Sequence, residues 1–303
     1  MFLKIKRTVS FLMLIAQQAY ACESPNIFTY GDPQTCTDMR VSLQGTAGDG
    51  SLWSSSNVTD EDYLTLKKLY KNQDIMMHFG SGQTLKKADI YNRIALWTKR
   101  AASGHPHGAW IIRKQEDNTP MGLMATGAHQ DPGTCELSRM LLQDFQKLRL
   151  GSSVMDTLVK VWAPATRAQG LQTENPLMAE KFKCFKNEAL ATLYVSSSPS
   201  NVASWKSQVR AGFSAKDTCS DLKIVNLQPT EETPVLDFTT DSVEIYAQVE
   251  EALQEKFDHG VYAFQPDVLY PMIDPQGDVR TFSLSSKYKK IKYHFTYTVP
   301  DPQ

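Results

Sequence analysis

Residues 135–162 read CELSRMLLQDFQKLRLGSSVMDTLVKVW, the pattern of one buried strand, a short basic loop and one helix. The apolar run at Met140, Leu141 and Leu142 ends at Gln143, after which Gln146, Lys147, Arg149 and Gly151 crowd two cations and a glycine into one turn. Ser152 or Ser153 is placed to cap the helix that follows. Val154, Leu158, Val161 and Trp162 recur there at helical spacing, and Pro164 is expected to stop it. A strand that feeds straight into a helix start gathers unpaired N–H groups and the positive end of the dipole at one point. Such a point suits a phosphate.

The spacing Gln146-x-x-Arg149-x-Gly151 resembles the Q/R-x-x-G-x-G/A loop with which GNAT-superfamily N-acetyltransferases hold the pyrophosphate of acetyl-CoA. Arg149 stands where the family usually has its first glycine. A left-handed backbone there costs a non-glycine residue about 1–2 kcal/mol, which a direct contact of Arg149 with phosphate offsets. Further on, residues 189–213 read ALATLYVSSSPSNVASWKSQVRAGF and resemble the family's last core strand and helix. Asn201, Ser204, Gly212 and Phe213 occupy the matching positions, and Val202, Trp205 and Val209 form an apolar stripe that Gly212 ends. The resemblance covers residues 52–215. It is closest to the branch that acetylates N-termini of ribosomal proteins and includes many small-molecule acetyltransferases.

The totals agree with a globular protein. The chain has 303 residues, enough for one large domain or two ordinary ones, with 32 basic and 33 acidic residues and a formal net charge of −1. That balance excludes nucleic acid as the main partner, since backbone binding needs a concentrated basic surface. Five cysteines lie far apart with no C-x-x-C pair, so neither a zinc site nor a disulfide framework is expected. His105 and His107 flank a proline in a glycine-bounded loop without a nearby carboxylate, and no metal is expected there.

Residues 1–21 have three cations near the start, an apolar stretch and a small-x-small end, the pattern of a signal peptide. The stretch is far below the roughly 20 residues that span a bilayer, so no permanent membrane span is expected. Export conflicts with the use of acetyl-CoA, a cytosolic metabolite, and both compartments stay open. Residues 22–57 read as an irregular lead-in with at most one strand, at Leu52 and Trp53. Residues 58–215 form the GNAT-like domain. It opens with a capping box at Thr59 and Asp62, a helix through Tyr70, an apolar connection over residues 75–79 and a second helix ended by Gly104. A hairpin over residues 110–128 leads to the central strand. Residues 165–187 exceed a tight connection and contain a helix, either a solvated elaboration or a lining of the acceptor site. Residues 216–303 form a C-terminal α+β extension: a helix from Asp241 to Gly260, then strand candidates at 261–264, 268–273, 279–284 and 291–297. The fold class is α+β, a mixed, mostly antiparallel sheet flanked by helices.

What the resemblance implies chemically is a transfer of acetyl from acetyl-CoA, as cosubstrate, to a primary amine. The cofactor contacts fall on Met140, Leu141, Leu142, Gln146, Lys147, Leu148, Arg149, Leu150, Gly151, Ser152, Asn201 and Ser204. Glu136 is the implied base; pairing with Arg139 or Lys147 is the competing reading of its carboxylate. Where many members place a thiolate-protonating tyrosine this chain has Gln208, with Ser207, Tyr194 or water as substitutes. The alternative is a catalytically impaired GNAT-like binding protein, exported or not. An α-amine or small-molecule amine is expected over internal lysine, because neutralising lysine at pH 7 costs about 3.5 kcal/mol more. The 165–187 insertion is expected to shape the acceptor pocket.

Overall fold

The computed structural model describes residues 27–217, 225–227, 243–258, 265–274, 277–287 and 290–302. The signal-like segment 1–21, the helix ends Asp241 and Gly260 and the strand candidate 261–264 lie outside the described residues.

The chain opens with β1 (Phe28–Asp32) and β2 (Thr37–Val41), an antiparallel hairpin, followed by β3 (Gln44–Thr46) and β4 (Leu52–Asn57). The stretch read as irregular therefore holds four strands. Each is too short to display a period, and Asn57 ties two of them together: its amide donates to the Met39 carbonyl at 2.7 Å and accepts from the Val41 N–H at 3.1 Å. Helix α1 (Tyr63–Tyr70) starts behind the expected capping box of Thr59 and Asp62. The connection expected at residues 75–79 begins inside a one-turn helix, α2 (Gln73–Met76), whose start the Asn72 side chain caps. Helix α3 (Lys87–Ala102) gives way to Gly104 at φ +72°.

A meander follows, β5 (Ala109–Lys114), β6 (Pro120–Ala128) and β7 (Thr134–Leu141), and then α4 (Leu150–Thr157). Pro164 does not stop this helix. A π-helical turn, Leu158–Trp162, carries it into α5 (Ala163–Gln172), and the proline sits in the new first turn, where no N–H is needed. The wider turn leaves Val161 39% exposed and buries Val159 instead. Next come α6 (Pro176–Phe182), β8 (Thr192–Ser197), α7 (Val202–Arg210), β9 (Ser214–Ala215), β10 (Val225–Asn226), α8 (Val243–Asp258), β11 (Tyr270–Ile273), β12 (Val279–Ser285) and β13 (Lys290–Thr298).

Among the described residues one eleven-stranded sheet runs β10-β11-β12-β13-β8-β7-β6-β5-β4-β3, with β9 also on β13. Its pairs are antiparallel except β7 with β8 and β10 with β11. The C-terminal strands thus continue the sheet, and β13 lies directly beside β8. Period-two alternation sorts the side chains to two cores. Ile111 and Leu123 face α1 and α3 with Leu66, Ile90 and Ile94. Trp110, Ile112, Met124, Leu137 and Val195 face the opposite helices with Leu150, Leu158 and Trp205, and Tyr293 and Phe295 extend that core toward Tyr246 and Leu253 of α8. Each fully buried aliphatic or Phe side chain contributes roughly 1.5–3 kcal/mol of transfer free energy.

The 165–187 insertion does not shape the central cleft. Phe182 and Phe185 are buried, Lys181 donates to the carbonyls of Thr35 and Cys36, and Asn175 reaches the Cys36 sulfur at 3.5 Å. Its role is to clamp the β1–β2 hairpin. No helix of the described residues is long and apolar enough to cross a membrane.

Candidate active site

Strands β7 and β8 run parallel for three rungs, Thr134 opposite Thr192, Cys135 opposite Leu193 and Glu136 opposite Tyr194, and then part. Beyond that point β7 stays with β6 as far as Leu141, opposite Gly122, while β8 follows β13 through Val195, Ser196 and Ser197. Two strands that each keep one partner but leave each other open a gap in the sheet. A cleft of about 1440 Å³ runs through it.

At one end of the cleft β7 passes through a short 3-10 turn, Gln143–Phe145, to Arg149, which has φ +52° and ψ +16°. The position expected to need a left-handed backbone has one. Arg149 is the N-cap of α4, so Ser152 and Ser153 lie inside the first turn rather than capping it, and no side chain caps this helix. Ser153 accepts instead from the Trp53 indole at 2.8 Å. The Gly48 N–H donates to the Leu148 carbonyl at 2.7 Å, and the Arg149 stem lies over Gly48, where an added Cβ would stand 2.7 Å from Arg149 Cβ. Gln146 Nε2 donates back to the Leu141 carbonyl at 3.2 Å. The turn is held by backbone and stem contacts, while Lys147 and Arg149 are exposed to the cleft.

Arg139 crosses behind this turn. Residues 136 and 139 are an odd number apart on one strand, so their side chains leave opposite faces and Arg139 does not pair with Glu136. It donates to the Ser204 carbonyl at 3.2 Å and to the Ser207 hydroxyl. Gly151 gives it room, since a Cβ there would stand 3.1 Å from Arg139 Nε. Burial lowers the guanidinium to about 10. Deeper in the cleft Gln208 is 3% exposed; its Nε2 donates to the hydroxyls of Ser197 at 3.1 Å and Ser204 at 3.3 Å, and its Oε1 has no partner among the described residues.

The other wall comes from β7, β8, β12 and β13. Glu136 opens to the cleft with protein on either side, and that desolvation raises its carboxyl above the usual range, against a smaller lowering by the Lys292 charge. It makes no ion pair among the described residues. Tyr194 Oη lies 2.5 Å from His294 Nδ1, and His294 Nε2 lies 2.8 Å from Ser283 Oγ, a three-member chain across three strands. Burial, with the charges of Lys216 and Lys292, pushes His294 down to about 3, so its imidazole is neutral at pH 7. Burial, with the Glu136 charge, raises Tyr194 and keeps it protonated.

Of the residues singled out from sequence, Glu136, Met140, Leu141, Gln146, Lys147, Arg149, Gly151, Ser152, Asn201 and Ser204 all line this cleft. Leu142, Leu148 and Leu150 do not: Leu142 packs on the α1–α3 core, Leu150 is fully buried in the other, and Leu148 serves through its carbonyl. Arg139, His294, Ser283 and Lys292 were missed as cleft residues. Alternation over residues 290–298 placed Lys292 and His294 on one face, yet nothing local said that face would adjoin β8.

A family model described as the acetyltransferase (GNAT) domain matches residues 56–214. Among solved structures, an acetyltransferase of the GNAT family from Bacillus anthracis is similar at 8% identity over 85% of this chain and 98% of that one, with a TM-score of 0.46. RimL, the ribosomal L7/L12 alpha-N-protein acetyltransferase in complex with coenzyme A, is similar at 14% identity over 55% and 81%, TM-score 0.41. Spermidine N-acetyltransferase from Vibrio cholerae, in complex with CoA and spermine, is similar at 11% identity over 55% and 83%, TM-score 0.40. A search of curated proteins gave no match. With more than half of its residues matched by the family model, the chain belongs to the GNAT acetyltransferase family.

Proposed function

We propose that the protein transfers an acetyl group from acetyl-CoA to a primary amine, either a protein N-terminus or a small molecule. The observation that carries this reading is the gap after the Glu136–Tyr194 rung, which joins an uncapped helix start to a wall bearing a carboxylate and a phenol. The residues fit the cosubstrate. Gln208 Oε1, without a partner among the described residues, is an acceptor for an amide N–H, the Asn201 amide on the cleft wall supplies further donors and acceptors, and Lys147, Arg149 and Arg139 surround the helix start where a diphosphate is favoured.

The thioester supplies an activated acetyl group; the chain supplies orientation and proton traffic. The amine nitrogen bonds to the carbonyl carbon, the carbon–sulfur bond breaks, and the nitrogen's proton passes to Glu136. Tyr194 donates to the departing sulfur. Ser207 is a poor substitute, because its hydroxyl is committed to the Ser204 carbonyl at 2.6 Å while it accepts from Arg139. In the tautomer with hydrogen on Nδ1, His294 donates to Tyr194 and accepts from Ser283, which leaves the phenol O–H free for the cleft. One carboxylate base favours an α-amine or another weakly basic amine over lysine, which costs about 3.5 kcal/mol more to neutralise at pH 7.

Calorimetric titration of the full chain with acetyl-CoA tests the reading, followed by acetylation assays on free amines and peptides. Saturable binding and acetylated amine are expected; no heat at millimolar acetyl-CoA overturns it.

A further inference from the structure

Lys292 lies on the cleft wall built by β13, outside the residues that match the family model. It is 9% exposed, and its ammonium makes one long hydrogen bond, to Ser198 Oγ at 3.3 Å. Among the described residues no carboxylate comes within ion-pair distance. An ammonium carries three donors, and burying one with two of them unused is costly unless something else completes the shell.

The surrounding charges do not complete it. Lys290, two residues away on β13, donates to the Met77 carbonyl at 3.1 Å and only repels. Glu250 of α8 accepts from Ser200 Oγ at 2.8 Å and attracts Lys292 from beyond contact, and Glu136 attracts it more weakly. Thus one wall offers an unpaired cation together with a carboxylate. That arrangement complements a molecule carrying both an amine and an anion. A single ammonium, its neighbour Lys290 already engaged, matches a monoanion better than a phosphate dianion.

We propose that the acceptor is a primary amine that also carries a carboxylate, which Lys292 pairs. This rests on the acetyl-transfer reading for the fate of the amine, but not for binding. The carboxylate belongs either to a free amino acid or to an acidic first residue of a peptide. Both sources share the chemistry, and the ligands chosen separate them.

The test is calorimetry on the full chain with two ligand pairs: free amino acids against their amides, and peptides opening with Glu against the same peptides opening with Gln. The expected result is that, in at least one pair, the acid binds ten times or more tightly than its neutral analogue. Lys292→Met brings that ratio close to one, and Lys292→Arg keeps most of it. Equal binding within both pairs on the unaltered protein overturns the proposal, as does a ratio that survives Lys292→Met. Because the wild-type comparison needs no variant, poor folding of Lys292→Met leaves the test intact. Selective binding of acids without any acetyl transfer supports this inference while overturning the enzymatic one, and acetylation of neutral and acidic amines with equal kcat/KM does the reverse.

Discussion

Glu136 and Tyr194 face one another on the last shared rung of β7 and β8, and the sheet opens immediately beyond them. The proposed base and proton donor are therefore held at the vertex of the gap by backbone pairing, on strands rather than on loops.

Tyr194→Phe removes the phenol O–H while keeping the ring against His129. A fall in kcat of about 100-fold is expected, the lower end for a general acid, with the KM for acetyl-CoA little changed. Steady-state kinetics check it, and an unchanged kcat assigns the donor to water.

Glu136→Gln has a kinetic and a thermodynamic signature. The acid limb of kcat/KM that follows the raised carboxyl disappears in the variant. For stability, a carboxyl raised on folding contributes most below its unfolded value near 4.5, and that contribution is lost as pH rises through the raised folded value. The variant should thus be the more stable protein at pH 7, with the difference closing below about pH 4.5. Thermal melts across that range measure the sign, and a variant less stable at pH 7 contradicts it.

Arg149→Gly separates backbone strain from ligand contact. Glycine adopts φ +52° without penalty, which relieves about 1–2 kcal/mol, less its own chain entropy. Acetyl-CoA affinity should nevertheless fall about tenfold, or 1.4 kcal/mol, because a cation leaves the helix start. Tighter binding by the glycine variant shows Arg149 to be an impediment instead.

His294 predicts a response to acid. Its folded value of about 3 is depressed from 6.5, so its contribution is full above pH 6.5 and drains away as pH falls toward 3. By pH 4 the loss is about 3 kcal/mol, and His107, also near 3, and His105, near 4, add to it. Urea midpoints should decline between pH 6.5 and 4, and less steeply in His294→Gln, whose amide cannot take the proton.

The segment from β7 to α4 was legible because everything that defines it is local: an apolar run, two cations, a glycine and a helical stripe within 28 residues. The left-handed backbone at Arg149 was implied by the resemblance, which puts that residue where the family usually has a glycine. Other features depended on partners distant in sequence. Asn57 ties β2 to β4, and β3 and β4 are strands through pairing with each other and with β5, none of which a local period announces. Pro164 is tolerated because a π turn precedes it, which no residue count discloses. The pairing of Glu136 with Arg139 could have been dismissed from sequence, since odd spacing on a strand separates faces. The His294–Tyr194 contact could not, because it depends on which strand β8 accepts as a neighbour.

Tyr194 and His294 are 100 residues apart along the chain. Residues 56–214 alone leave β8 with an unsatisfied edge on the side where β13 belongs. During synthesis that edge emerges long before its mate, so until residues 290–298 arrive it is open to pairing with a foreign strand. Contacts of such long sequence separation also slow folding. Completion of the cleft wall that carries Lys292 and His294 thus waits for the arrival of residues 290–298, the last strand of the sheet to be synthesised.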